Sequence, residues 1–207
     1  MFFVRQRSNQ CGLHAIQNMF KSAAISNEDM AAACSEIHEE TGDAIFNHES
    51  FGGDWSVSAV LAAIVRKGYQ VERGVDTKNE RVWSIPSIGE LLLDSEFRGM
   101  IIHQPLTRHF TCLRPENVDG IRRLFFVDSQ SEGPIRISPK LATRRCLSNA
   151  YAWEPFVVKG PEMEYVAPVQ IAPISSPRLR KRKRRPPEDF MKAWYAIPST
   201  KKTSELP

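Results

Sequence analysis

His109-Phe110-Thr111-Cys112-Leu113 and Leu124-Phe125-Phe126-Val127 are two short apolar runs rich in β-branched and aromatic residues, and their pairing decides the architecture. Such runs, bounded by turn residues, predict strands. Met100-Ile101-Ile102-His103 before them and Phe156-Val157-Val158 after them have the same character. The stretch Pro115-Glu116-Asn117-Val118-Asp119-Gly120 carries turn residues and closes on Asp-Gly, which predicts a hairpin connection. Antiparallel neighbours bring the start of one strand beside the end of the next. His109 and Asp128 are therefore expected at one end of the sheet.

Upstream the periodicity is helical. In 12–21, Leu13, Ile16 and Phe20 share a face, with Met19 beside them. Ser26 and Asp29 have capping-box spacing for a second helix through Met30, Ala33, Cys34 and Ile37, ending before Gly42. Val57, Val60, Leu61, Ile64 and Val65 follow i, i+3, i+4, i+7, i+8, so 56–67 is predicted helical and ended by Gly68. A strand is expected over 69–73, and short helices over 88–93 and 142–149. Helices first and antiparallel strands second is an α+β pattern.

The whole chain has 207 residues, 28 basic and 24 acidic. Ten of the basic and five of the acidic residues lie in 161–207, which leaves 18 and 19 in 1–160. Eight of the 14 prolines also follow position 160. The expectation is a catalytic-sized domain over 1–160 and a proline-rich, basic, largely disordered tail over 161–207. Seven of the eight residues from Arg178 to Arg185 are positive, which favours an extended solvated segment. That run reads as a solubility tail, a signal for a nuclear import receptor, or a phosphate-backbone contact for nucleic acid. Glu188 to Ile197 has the spacing of one short amphipathic helix. No window approaches the roughly 18 apolar residues of a membrane helix, and Met1-Phe2-Phe3-Val4-Arg5 lacks a leader's charged start. Cys11, Cys34, Cys112 and Cys146 are scattered and are read as reduced thiols. A cytoplasmic or nuclear location is expected.

Three features fit one reaction. Cys11 lies at the mouth of the first helix, where unpaired amides and the helix dipole favour a thiolate nucleophile; the plain alternative is a structural cysteine. His109 with Asp128 supplies an imidazole oriented by a carboxylate; the plain alternative is a structural histidine at a strand end. Gln6, five residues before the cysteine, offers an amide that with the Cys11 N–H would hold an oxyanion. His14 is a competing base on the helix, His103 is read as lacking a matching acid, and His38 and His48 are read as surface residues. No metal-ligand spacing such as HExxH is present.

The run from Gln6 through Cys11-Gly12-Leu13-His14-Ala15-Ile16-Gln17-Asn18 resembles the opening motif of Josephin-type deubiquitinases. Gly53-Asp54-Trp55-Ser56-Val57-Ser58-Ala59-Val60-Leu61, on to Lys67-Gly68-Tyr69, is similar to that family's central helix and following strand. Arg108-His109-Phe110-Thr111-Cys112-Leu113-Arg114 resembles its histidine motif, and Phe125-Phe126-Val127-Asp128-Ser129 its acid motif. Gly12 stands where the family usually has Ala, and Gln17 where the first Asn of its pair is common. The resemblance implies a papain-like fold, with N-terminal helices on a twisted antiparallel sheet, and a cysteine isopeptidase acting after the terminal glycine of ubiquitin. It implies Cys11 as nucleophile, His109 as general base and acid, Asp128 as its orienter and Gln6 as oxyanion donor, with neither metal nor organic cofactor. Trp55 beside Gly52-Gly53 is a candidate wall for ubiquitin's glycine-rich end. Two other readings stand beside it: a double-glycine leader peptidase of the papain-like group, and an inactive ubiquitin-binding protein with a basic tail.

Overall fold

Local signals place most elements where the pattern puts them. The computed structural model describes residues 2–6, 9–45, 48–50, 54–73, 87–146 and 153–167. The chain divides into two units, Met1–Val169 and Gln170–Pro207. The second unit, and with it the basic run 178–185 and the helix expected over 188–197, lies outside the described residues.

Helix α1 spans Cys11–Phe20 and α2 spans Asn27–Thr41. Ser26 and Asp29 form the full capping box at the start of α2, and Gly42 ends it at φ 75°. The two-residue strands β1 (Glu49–Ser50) and β2 (Asp54–Trp55) pair antiparallel before α3 (Val57–Arg66), which Ser56 caps. Strand β3 (Gln70–Arg73) and the short helix α4 (Ile88–Leu91) follow. The remaining elements are β4 (Phe97–Gln104), β5 (His109–Val118), β6 (Ile121–Val127), β7 (Ile135–Ile137), α5 (Pro139–Cys146) and β8 (Glu154–Lys159). Six strands form one antiparallel sheet in the order β3-β8-β4-β5-β6-β7. The fold is α+β. Among the described residues no helix is long and apolar enough to cross a membrane.

One expected connection is shorter than its turn residues suggest. Strand β5 continues through Pro115 to Val118, and only Asp119 (φ 53°) and Gly120 (φ 75°) make the turn to Ile121. Both left-handed residues match the two-residue hairpin geometry that Asp-Gly favours. Pro115 lies beyond Leu113, the last β5 residue with a β4 partner. Its missing N–H therefore deprives no second ladder.

Alternation along the strands sends Ile101, Cys112, Phe125, Val127, Phe156 and Val158 into one core with α1, α2 and α3. Met100, Ile102, Leu113, Leu124, Phe126 and Val157, also buried, occupy the intervening positions and face the other side. Helix α1 lies close to its neighbours at both ends. A Cβ on Gly99 (φ 153°), at the β4 bulge, would fall 2.4 Å from the Leu113 carbonyl oxygen and 2.6 Å from Met19 Cγ. A Cβ on Gly12 would fall 2.7 Å from Val60 Cγ2 of α3. Glycine at position 12 thus has a packing reason. Gly12→Ala is expected to destabilise the fold by about 1–3 kcal/mol despite its better helix propensity. Val60→Ala in the same chain should recover much of that loss in urea titrations; additive losses would contradict the clash.

The chain after β8 stays on the body. The Ser22 hydroxyl donates to the Glu164 carbonyl (2.7 Å), Val166 N–H donates to Ser22 Oγ (2.9 Å), and the Phe2 and Tyr165 rings meet edge to face. The sequence boundary at Gly160 marks the end of the sheet, while packed chain runs on through these residues.

Candidate active site

The extended N-terminal segment is positioned by buried polar groups. Val4 N–H donates to Asn18 Oδ1 (2.7 Å) and the Asn18 amide donates to Val4 O (3.0 Å). The fully buried guanidinium of Arg114 donates to the carbonyls of Phe2 and Asn18 and to the Glu116 carboxylate. Further along, Gln6 N–H donates to the Ser129 carbonyl at 2.8 Å. Helix α1 and strand β5 thereby fix the segment that carries Gln6.

At the first position of α1, Cys11 is 5% exposed, and its sulfur lies 3.8 Å from the Arg108 carbonyl oxygen. Arg108 holds φ 50° in the β4–β5 turn, a conformation uncommon outside glycine. The next residue is His109, 9% exposed. Its Nε2 is 2.9 Å from Asp128 Oδ1, at the end of β6. The carboxylate can only accept, so Nε2 carries the proton and Nδ1 is the nitrogen left for the sulfur. Burial by itself pushes the His109 imidazole down. Hydrogen bonds to the Asp128 and Cys11 side chains, and the negative charge on both, outweigh it and raise the group from 6.5 to about 9.

The predicted quartet Gln6, Cys11, His109 and Asp128 therefore meets at one place, although it comes from two distant parts of the chain. Two further residues belong to the site: Ser129, read from the sequence only as part of the acid motif, and Gln130, not named there. Ser129, 2% exposed, donates from its hydroxyl to Gln6 Oε1 at 3.2 Å. The exposed Gln130 places its amide nitrogen 3.4 Å from both Gln6 Oε1 and His109 Nδ1, while its backbone N–H donates to Asp128 Oδ1 at 2.8 Å. Their signal was adjacency: both follow Asp128 directly in the polar run 128–132 after β6.

The other histidines sort differently. His14 is held below its ordinary value by burial, opposed by a hydrogen bond to Gln17, and among the described residues its Nδ1 has no partner. His103 is corrected: its Nδ1 lies 2.8 Å from Glu154 Oε2, and Arg73 takes the other carboxylate oxygen at 3.0 Å. Strand β8 is inserted beside β4 in register with Glu154 opposite His103, an arrangement that chain order does not reveal. His48 is also corrected. It is buried, with Nδ1 3.1 Å from Ser56 Oγ, whereas His38 is exposed. Trp55 is buried in the core, and Gly52-Gly53 lie outside the described residues. Burial pushes the thiols of Cys34 and Cys112 up to about 11 and about 12. Both are free and inert beside Cys11.

The sign of the His109 shift sets two pH dependences. The imidazolium form is favoured by folding, so its contribution to stability is complete below about 6.5 and fades as pH rises through about 9. Any step that draws a proton from this ring is likewise expected to fail above about pH 9. A pH–rate profile with no alkaline limb up to pH 10 would contradict the assignment. Compared with known proteins, the chain matches no family model and no curated protein.

Proposed function

We propose that this chain is a papain-like cysteine peptidase of the Josephin type, cleaving the peptide or isopeptide bond after the C-terminal glycine of ubiquitin. The observation that carries the reading is the convergence of the Cys11 sulfur, the Asp128-bound imidazole of His109 and the Gln6 amide. In this reading the Cys11 thiol proton passes to His109 Nδ1, giving the thiolate–imidazolium pair that the raised imidazole favours, and the sulfur attacks the glycine carbonyl. The Gln6 amide and the Cys11 N–H hold the negative oxygen of the tetrahedral intermediate. The intermediate collapses to a thioester as the ring proton passes to the leaving lysine amine. Water then gives a proton to His109 as it attacks the thioester, the C–S bond breaks, and the released thiolate takes that proton from the ring. Asp128 keeps the ring in the required tautomer throughout. Every step uses the chain's own side chains and water. Leu106, 84% exposed on the turn that leads into His109, offers a protein substrate an apolar contact.

The test is incubation with diubiquitin and with a ubiquitin bearing a C-terminal electrophile. Cleaved chains and a covalent adduct on Cys11 support the reading. Binding of ubiquitin without cleavage or adduct would replace it with the interaction protein, and cleavage of double-glycine leader peptides alone with the leader peptidase.

For Arg178–Arg185 we propose contact with a nuclear import receptor. Deleting 178–185 is expected to move the protein out of nuclei and leave cleavage in vitro unchanged. Unaltered distribution would refute this, and loss of a steeply salt-dependent nucleic-acid affinity would assign the run to phosphate contacts instead.

A further inference from the structure

One exposed amide stands between the two halves of the site. Gln130 Nε2 lies 3.4 Å from His109 Nδ1 and 3.4 Å from Gln6 Oε1. An amide nitrogen only donates, so the first contact favours the neutral ring, with Nδ1 as the acceptor. The second holds Gln6 by its oxygen, together with the Ser129 hydroxyl at 3.2 Å. With Oε1 engaged by two donors, the Gln6 amide group is turned the other way. Cys11 belongs to the same state, because its thiol is placed to donate to the Arg108 carbonyl at 3.8 Å. This is the bonding of an uncharged thiol and imidazole. The charged groups acting on the ring pull the other way: Asp128 from the end of β6 and the Cys11 sulfur from α1 both favour its protonated form. From β4 only the neutral Gln104 stands opposite His109.

We infer that Gln130 is a positioning residue with two linked effects: it shifts the Cys11–His109 pair toward its neutral form, and it fixes the Gln6 amide in the orientation that receives the oxyanion. The second effect rests on the peptidase reading; the first does not. When the ring takes the thiol proton at Nδ1, the Gln130 amide loses its acceptor there, while its other N–H stays on Gln6 Oε1. The free thiolate is therefore less populated than Asp128 alone would make it, and the oxyanion donor is already oriented when attack begins.

The two effects have opposite signatures, which a merely structural residue would not produce. In Gln130→Ala, alkylation of Cys11 by iodoacetamide near neutral pH should be about fivefold faster, because the neutral pair has lost one hydrogen bond. Thiolate absorbance at 240 nm should rise with it. Turnover of a fluorogenic ubiquitin amide should fall about fivefold in kcat with little change in KM. Gln130→Ala in a Gln6→Ala background should cause no further loss, since the two act as a unit. Gln130→Glu, whose carboxylate accepts from imidazolium and repels Gln6 Oε1, should move both rates in the same directions and further. Alkylation unchanged or slowed in both variants overturns the hold on the imidazole. Losses that add fully with Gln6→Ala overturn the coupling to the oxyanion donor. A wild-type chain that alkylates but turns over no ubiquitin substrate defeats the peptidase reading and the second effect, while the alkylation rates still decide the first.

Discussion

Cys11→Ala is expected to remove turnover of ubiquitin conjugates altogether, a fall of at least about 10⁴-fold in kcat, while leaving the fold intact. No other group at the site can form the thioester, and removing the nucleophile from a cooperating set forfeits most of what the set achieves. The side chain is small, and its sulfur has the Arg108 carbonyl and the His109 ring as polar neighbours. The packing loss is therefore modest. Two controls sharpen the result. Cys34 and Cys112 are buried, with thiols raised to about 11 and about 12, so fast alkylation of the folded protein at neutral pH is expected at Cys11 ahead of either. The His109 titration should also fall in Cys11→Ala, because the sulfur is one of the two partners that raise it. Residual cleavage at more than a thousandth of the wild-type rate, or a ubiquitin adduct that persists without the sulfur, would transfer the chemistry elsewhere.

The second large effect is on stability. Arg114→Ala is expected to destabilise the protein by about 3–5 kcal/mol in urea unfolding, a large share of the roughly 5–15 kcal/mol that holds a domain together. The guanidinium is completely buried. Without it the carbonyls of Phe2 and Asn18 and the carboxylate of Glu116 lose the donors that satisfy them. The loss of paired charge and hydrogen bonds, rather than of volume, dominates, so Arg114→Met should fare little better. A loss below about 1 kcal/mol would mean that water replaces the guanidinium freely. The substitution also reaches the active site. Phe2 is one of the points at which the N-terminal segment is tied down, and that segment carries Gln6. In protein that remains folded, kcat is expected to fall more than KM rises, because Gln6, the oxyanion donor of the peptidase reading, loses its place.

Much of this architecture was legible because local chemistry agrees with the final packing. The Ser26–Asp29 capping box and Gly42 delimit α2 without help from tertiary structure. The i, i+3, i+4, i+7 pattern of Val57 to Val65 likewise delimits α3. What escaped notice depends on distant chain. Strands β1, β2 and β7 have two or three residues each, too few to show alternation. The reach of β5 past Pro115 depends on where β4 stops. The Glu154 partner of His103 depends on β8 lying between β3 and β4. At the site, side chains of distinctive chemistry could be named from chain order and strand ends, and Gln6, Cys11, His109 and Asp128 are found together. The Arg108 carbonyl, which any residue would supply, and the amide and hydroxyl of Gln130 and Ser129, common in any turn, become functional candidates only through distances.

The division of the site between α1 and the β5–β6 hairpin also bears on how the protein is made. His109 and Asp128 sit nineteen positions apart on adjoining strands, close enough in sequence for imidazole and carboxylate to pair as soon as that hairpin forms. Cys11 leaves the ribosome about a hundred residues ahead of them. Until α1 docks against β5 it has neither base nor oxyanion donor beside it. In the peptidase reading the nucleophile is therefore assembled only when its last partner is in place, and the nascent chain carries no prematurely armed site.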